Sequence, residues 1–235
     1  MLPLVVNLAG RVCVVVGAGP VGRRKATALA TAGAAVRMVD PHPAPDLPAG
    51  WEVIPEPFRP DHLMGAALVV AAGPDAVNAA VVAAAHARGL WVADAADPGR
   101  GTVTFPAVGR AGPVTIAVGT SGAAPAVART LRDRWLAELD VDVLVWVDLL
   151  AEVRTHVLAA GLPPEARRRL LTGFAGGAWL DRLKTVGRAE VRAAMLAAVA
   201  QAGQVGGGDA VPTPDPAGGR VPGDHDGDHD ADAAE

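Results

Sequence analysis

A glycine-rich turn near the start of the chain constrains the fold more than any other stretch. The apolar run Val12–Val16 is typical of a strand buried in a parallel sheet, and it leads directly into Gly17–Gly22, with the sequence GAGPVG. A pattern of small residues then predicts a helix to about Ala32, which Gly33 would end. A strand, a glycine turn and a helix in this order predict an α/β fold.

The spacing of the glycines is typical of a dinucleotide-binding turn. Gly17 would allow the tight turn, Gly19 would let the backbone approach a pyrophosphate, and Gly22 would let the helix pack closely on the strand. The N–H groups at the helix N-terminus would face the phosphates. The next predicted strand, Ala35–Val39, ends in Asp40, at the spacing where a carboxylate binds the ribose hydroxyls of NAD.

We therefore predict that NAD is the cofactor. The residues expected to contact it at this point are Gly17, Gly19, Pro20, Val21, Gly22 and Asp40. The alternative interpretation is a glycine-rich turn in an α/β domain that binds no nucleotide. An aspartate rather than an arginine at position 40 favours NAD over NADP.

Predicted strands and helices continue to alternate up to about residue 112. Further strands are expected at 52–54, 68–72 and 90–93, and helices at 59–64 and 75–88. This alternation is typical of a doubly wound parallel sheet with right-handed crossovers. Because ligands bind at the carboxyl ends of such strands, residues 72–78 and 94–101 would border the site together with the glycine turn.

Both of these bordering segments carry polar side chains. Asn78 could give an amide to the cofactor, or the segment could be a plain helix start with Asp75 near the N-terminus. Asp94 and Asp97 could act in general acid–base catalysis. They could equally be turn formers, since Asp97-Pro98-Gly99 is a good turn sequence.

The pattern changes after Pro106. We expect a hairpin turn at Gly109–Gly112, a strand at 114–118, and a helix at 126–139. The segment before that helix carries the predicted substrate-binding residues, whose N–H and hydroxyl groups suit an anionic ligand but would also suit a capped helix start. These residues are Thr120, Ser121 and Gly122.

Helical patterns follow from about residue 141 to residue 200. The first of them, Val141–Ala160, is broken by Gly161–Pro164. The cluster Arg167–Arg169 indicates either a solvated helix face or a face that binds an anion such as a polycarboxylate. From Gly203 on, the composition is that of a disordered acidic tail, whose Asp224–Asp230 stretch could bind a divalent metal weakly.

Composition excludes several classes of function. A net charge of -4 gives no reason to expect nucleic acid or anionic membrane as a partner. Cys13 is the single cysteine, so no disulfide can form within the chain, and we interpret it as a core residue. We expect neither a signal peptide nor a transmembrane span, and therefore a cytoplasmic protein. The scattered His62, His86 and His156 predict no metal site.

Together these motifs resemble the precorrin-2 dehydrogenase and sirohydrochlorin ferrochelatase family, the type found at the N-terminus of siroheme synthases. The Arg24-Lys25-Ala26 sequence directly after the glycines is more specific than the glycines themselves. The other stretches that carry the resemblance are Pro3–Arg11, Ala71-Ala72 with Val77-Asn78, Asp97-Pro98, Phe105-Pro106, and Gly112–Arg129.

The resemblance implies an enzyme of siroheme biosynthesis. Its reaction would be the NAD-dependent dehydrogenation of precorrin-2, a tetrapyrrole with eight carboxylates, to sirohydrochlorin, and some members also insert ferrous iron. It implies a Rossmann-like parallel sheet followed by a dimerisation segment and a small helical domain, in a homodimer. The implied domains are 1–112 for NAD binding, 113–145 for dimerisation, 146–202 for the helical domain, and 203–235 for the tail.

Two departures from the family pattern concern the site. Counting back from Pro106, the catalytic aspartate of the family falls on Ala96, so a shift of one residue assigns that role to Asp97, with Asp94 as the second candidate. The loop at Gly73-Pro74 is one residue shorter and lacks the usual Thr-Asp. No methyltransferase activity is expected. The alternative functions are an NAD-binding regulatory protein, a chelatase that has lost dehydrogenation, or another small NAD oxidoreductase.

Overall fold

A computed structural model describes residues 2–204 of the chain. Within them the chain forms two compact units, one made of residues 2–108 and 117–132, the other of residues 109–116 and 133–204. Each unit therefore contains two separate stretches of sequence. The domain boundaries expected from the sequence stay predictions, and the Asp/His stretch of the expected tail lies outside the described residues.

A five-stranded parallel sheet forms the centre of the first unit, with strand order β3-β2-β1-β4-β5. Val16 at the end of β1 pairs with Val39 of β2 and Ala71 of β4, and Ala71 pairs with Asp94 of β5. The loops that follow these strands therefore leave from one edge of the sheet. The strands are β1 Val12–Val16, β2 Ala35–Val39, β3 Glu52–Ile54, β4 Ala66–Ala71 and β5 Trp91–Asp94.

Helices cover both faces of this sheet, which confirms the predicted Rossmann-like α/β fold. They are α1 Pro20–Thr31 and α2 Asp75–His86, with short 3₁₀ helices at Pro60–Leu63 and Pro98–Arg100. Because successive residues of a strand point to opposite faces, Val14 packs in one apolar layer and Cys13 in the other. Cys13 is fully buried, and burial raises the pKa of its thiol, in keeping with a core residue.

A second, two-stranded sheet follows, formed by β6 Ala107–Ala111 and β7 Val114–Val118. The predicted hairpin is present, but its turn lies later than the expected Gly109–Gly112, because the strand continues to Ala111 and the turn is made by Gly112 and Pro113. Gly112 has a φ of 48°, which a glycine adopts without strain, and proline ends the pairing. The helix α3 then covers Pro125–Ala137.

Helices build the second unit around an apolar core. They are α4 Val141–Ala159, α5 Pro164–Phe174, α6 Gly177–Val186 and α7 Arg188–Gln204. Phe174 is fully buried and meets Trp179 edge to face at 5.5 Å between ring centroids. Gly187, with a φ of 84°, separates α6 from α7. Among the described residues, none of the helices combines the length and the apolar character needed to cross a membrane.

Asp140 caps the N-terminus of α4. Its Oδ1 accepts a hydrogen bond of 3.1 Å from the N–H of Asp142, and its Oδ2 lies 3.1 Å from Nζ of Lys184. These two contacts, the first being the larger, hold the pKa of Asp140 below its ordinary value. A lowered folded-state pKa means that Asp140 stabilises the fold above the pKa of the unfolded chain, and that this contribution is lost as the pH falls through the folded-state pKa.

Asp140→Ala is therefore expected to lower the melting temperature by about 2–4 °C at neutral pH. The difference should shrink as the pH is lowered into the acid range, because the wild-type carboxyl protonates once the pH falls through its lowered folded-state pKa. Circular dichroism melts at neutral pH and along a series of acid pH values measure this. Asp148→Ala, an exposed aspartate in the middle of the same helix, is the matched control and should change little. An equal loss in both variants, or a loss independent of pH, would contradict the capping role.

Candidate functional site

Two of the three glycines are required by the fold itself. Gly17 has a φ of 108°, and a Cβ atom there would lie 2.5 Å from the carbonyl oxygen of Ala72, the residue directly after β4. A Cβ atom on Gly22 would overlap the carbonyl oxygen of Gly17. The first glycine thus allows the turn beside β4, and the last allows α1 to pack against it, as the spacing predicts.

Gly19 is different, because nothing in the protein fills the space next to it. Its φ of -67° suits any residue, and no atom lies within 4 Å of the position a Cβ atom would take. Gly19 is also the N-cap of α1, and no side chain caps that helix end. Gly19, Pro20 and Val21 are exposed there. An uncapped N-terminus with open space in front of it fits the pyrophosphate of a dinucleotide.

Asp40 is held against this turn. Its Oδ2 accepts a hydrogen bond of 2.6 Å from the N–H of Ala18, and its Oδ1 accepts one of 2.8 Å from the N–H of His42. Each carboxylate oxygen can accept a second hydrogen bond. The carboxylate therefore lies beside the glycine turn, with acceptor capacity left for ribose hydroxyls.

Asp94 lies at the end of β5, and its carboxylate is used within the protein. The side chain has no solvent exposure. Its Oδ1 accepts hydrogen bonds from the N–H groups of Ala96 and Asp97, at 2.9 and 3.1 Å, and from Nδ2 of Asn78, at 3.3 Å. Its Oδ2 lies 2.8 Å from Nε of Arg100, an ion pair whose angle is not that of a hydrogen bond. This arrangement makes Asp94 the residue that shapes the loop.

Asp97 lies in the same loop but faces solvent, with its side chain 57% exposed. Its Oδ1 accepts a hydrogen bond of 2.9 Å from the N–H of Gly99, which is the turn-forming role that the sequence suggests. Its Oδ2 lies 3.6 Å from Nε of Arg100. One carboxylate oxygen thus remains accessible, whereas the neighbouring Ala96 offers no titratable group. Of the two predicted acids, Asp97 is the one that solvent and a substrate can reach.

Asn78 joins the loops that follow β4 and β5. It is 1% exposed, its Oδ1 accepts a hydrogen bond of 2.8 Å from the N–H of Gly73, and its Nδ2 donates to Asp94. The side chain is therefore engaged inside the protein, where it holds these two loops together, and its predicted contact with the cofactor stays a prediction. No spacing in the sequence signals these long-range bonds, but the parallel register does bring the two loops together.

Arg100 is a site residue whose role sequence reasoning missed. Its NH2 group lies 2.6 Å from Asp75 at the start of α2, and its Nε faces both Asp94 and Asp97. The hydrogen bond to Asp75 and the charges of the three carboxylates raise the pKa of Arg100. One guanidinium therefore connects the start of α2 with the loop after β5.

The predicted substrate-binding residues lie in the segment directly before α3. Oγ1 of Thr120 accepts a hydrogen bond of 3.2 Å from the N–H of Ala124, and Ser121 and Gly122 are exposed with φ values of 52° and 82°. Their role in substrate binding stays a prediction.

Lys25 lies with Nζ 4.1 Å from the centre of the Phe105 ring, and burial, with the charge of Arg24, lowers the pKa of Lys25. Within residues 2–204, no cluster of three His, Cys, Asp or Glu side chains is arranged to hold a metal ion.

Comparison with known proteins agrees with this geometry. Residues 4–107 match the model of a family described as putative NAD(P)-binding. The chain is 37% identical over 202 residues to a siroheme synthase of Hahella chejuensis, covering 83% of this chain and 43% of that protein. It is 35% identical over 208 residues to a siroheme synthase of Pseudomonas aeruginosa, covering 75% of this chain and 44% of that protein. The chain thus spans less than half the length of these curated relatives.

Among solved structures, SirC, a precorrin-2 dehydrogenase, has a similar fold. The TM-score is 0.69 at 19% identity, and the match covers 86% of this chain and all of that one. At this identity the likeness shows the fold alone. The likeness to siroheme synthases, by contrast, is one of sequence and extends well beyond the glycine turn. Residues 4–107 thus match an NAD(P)-binding family, and the expected resemblance to siroheme synthases is confirmed over the part of those proteins that the chain spans.

Proposed function

We propose that the protein catalyses the NAD-dependent dehydrogenation of precorrin-2 to sirohydrochlorin, a step of siroheme biosynthesis. The observation that carries the proposal is the arrangement at one edge of the sheet. There, the open N-terminus of α1 at Gly19, the carboxylate of Asp40 and the exposed carboxylate of Asp97 all follow parallel strands. The names of the siroheme synthase relatives supply the class of substrate.

In this proposal, NAD supplies the hydride acceptor, and the chain supplies binding, orientation and a proton acceptor. The N–H groups at the start of α1 bind the pyrophosphate, and Asp40 binds the adenosine ribose. Asp97 accepts a proton as the substrate loses its hydride, because its carboxylate is the accessible one in the loop after β5. Asp94 and Arg100 hold that loop in place.

The proposed contacts with the substrate follow from its negative charge. Precorrin-2 carries carboxylates, and we propose that the predicted substrate residues Thr120, Ser121 and Gly122 contact it through hydroxyl and N–H groups. The anion-binding face predicted for Arg167–Arg169 on α5 stays a separate prediction, and Arg168 there pairs with Glu165 at 2.9 Å. We further propose a cytoplasmic homodimer, which light scattering on the full chain tests directly.

An anaerobic assay tests the proposed function. Precorrin-2 and NAD are incubated with the full chain, and the visible absorption of the product is followed together with the formation of NADH. We expect sirohydrochlorin without added metal. Ferrous iron added afterwards tests chelation, with siroheme as the product if the chain is also a ferrochelatase. Bound NAD without turnover would contradict the dehydrogenase proposal.

One observation favours a second candidate function. Ala96 stands where the resemblance places the catalytic acid, so an NAD-binding regulatory protein or a chelatase without dehydrogenase activity would have the same binding turn. Such a protein would bind NAD in the assay and form no NADH. Iron insertion into supplied sirohydrochlorin would then separate the chelatase from the regulatory protein.

A further inference from the structure

An ion pair borders the glycine turn on the side of Asp40. Arg23 follows Gly22 directly in the first turns of α1, and its NH2 group lies 2.6 Å from Oδ2 of Asp46. Asp46 belongs to the loop between β2 and β3. Gly22 and Ala26 face the sheet and are buried, whereas the Arg23 side chain is 38% exposed. Arg23 is thus a positively charged surface residue beside the glycine turn, and it forms an ion pair with Asp46.

Two bonds fasten the loop after β2 to the glycine turn and α1. At its start, Asp40 accepts the hydrogen bond from the N–H of Ala18. Six residues later, Asp46 accepts from the guanidinium of Arg23. A ribose bound by Asp40 would therefore lie next to the loop and the helix that the Arg23–Asp46 pair joins.

This juxtaposition concerns the choice between two cofactors. In dinucleotide-binding turns, a carboxylate after the second strand binds the ribose 2′-hydroxyl of NAD, whereas a nearby arginine accommodates the 2′-phosphate of NADP. This chain has both kinds of residue, Asp40 and Arg23. The guanidinium of Arg23 is paired with an ionised carboxylate, since the hydrogen bond from Arg23 also holds the pKa of Asp46 below its ordinary value.

We propose that Asp46 determines the preference for NAD over NADP by engaging Arg23, which would otherwise pair with the 2′-phosphate. The proposal rests on the proposed function only in that the cofactor must bind at Gly17–Gly22. With Asp46 in place, the three side chains carry a net charge of -1, counting Asp40 and Asp46 against Arg23, which disfavours a dianionic phosphate. Removing the Asp46 charge frees one guanidinium for that phosphate.

Calorimetric titration of the full chain with NAD and, separately, with NADP tests this proposal without any turnover. For Asp46→Asn, we expect the dissociation constant of NADP to fall about fivefold, the scale of one exposed ion pair, and that of NAD to change less than about twofold. The double variant Asp46→Asn with Arg23→Gln should lose the gain. The effect should shrink in high salt, because both groups are at the surface.

Asp61→Asn is the matched control, since Asp61 is an exposed aspartate of the same unit whose nearest basic group is Arg88, at 3.9 Å. Unchanged NADP binding in Asp46→Asn, an equal change for both nucleotides, or a gain that persists without Arg23 would each overturn the specificity proposal while NAD binding by the wild type stands. A wild type that binds neither nucleotide would overturn the cofactor assignment as well.

Discussion

Gly22→Ala is expected to lower both the stability of the first unit and its affinity for NAD. The added Cβ atom would overlap the carbonyl oxygen of Gly17, which is backbone and cannot turn away as a side chain can. Either α1 moves off β1 or the turn opens, at a cost of about 3 kcal/mol or more. Since the turn is also the proposed pyrophosphate site, NAD affinity should fall at least about tenfold, an effect of roughly 1.4 kcal/mol.

Gly19→Ala is the matched variant, with the same added methyl group at the other side of the turn. Its φ of -67° is ordinary for alanine, and no protein atom lies within 4 Å of the new Cβ atom. We expect an unchanged or slightly raised melting temperature, because alanine restricts the unfolded chain. NAD affinity should nevertheless fall, because the methyl group would occupy the space that the pyrophosphate needs.

Thermal melts and NAD titrations of both variants give the comparison. Loss of stability and of NAD binding for Gly22→Ala, with loss of binding alone for Gly19→Ala, is the expected pattern. If Gly19→Ala bound NAD as the wild type does, the pyrophosphate could not approach the backbone at this turn, and the cofactor site would have to be placed elsewhere. If Gly22→Ala were as stable as the wild type, the close packing of α1 would be disproved.

Asp97→Asn is expected to reduce precorrin-2 turnover about 100-fold or more, the usual contribution of a general base. Asparagine can still accept the hydrogen bond from the N–H of Gly99 through its amide oxygen, so the loop should keep its shape. What is lost is the ability to take up a proton. The anaerobic assay measures turnover, and a parallel titration should show NAD affinity unchanged within about twofold.

Asp75→Asn is the control for Asp97→Asn. Asp75 contacts the same Arg100 at 2.6 Å, but lies at the start of α2. A modest loss in Asp75→Asn with a large loss in Asp97→Asn supports proton transfer by Asp97. Equal losses would show that the carboxylates act only by holding Arg100, and full turnover in Asp97→Asn would remove Asp97 from the mechanism.

Asp94→Asn should instead lower the melting temperature, since the buried partner of Arg100 is altered.

Much of the first unit can be predicted from the sequence, for a local reason. The strands β1, β2, β3 and β7 have the predicted bounds, because each is a short, mostly apolar stretch that a glycine, a proline or a charged residue follows directly. The separate roles of Gly17 and Gly22 also follow from spacing alone. These features depend on neighbours along the chain, so that local patterns suffice to find them.

Contacts between distant residues could not be found in this way. Asp94 and Asp97 are equivalent acids in one loop as far as the sequence goes, and only burial of the first and exposure of the second distinguish them. The bond from Arg100 to Asp75 spans 25 residues and has no sequence signature. The predicted hairpin turn begins too early because Gly109 is an equally plausible turn residue, two positions before the strand ends at Ala111.

The way the chain is shared between the two units limits how its gene can be divided. The chain passes from one unit to the other after residues 108, 116 and 132. Each unit therefore includes a stretch that lies, in sequence, between the two stretches of the other unit. No single cut leaves both units whole: one made after residue 108 deprives the first unit of 117–132, and one made after residue 132 deprives the second of 109–116. Recombination could therefore pass on the nucleotide-binding unit intact only together with a piece of the helical one.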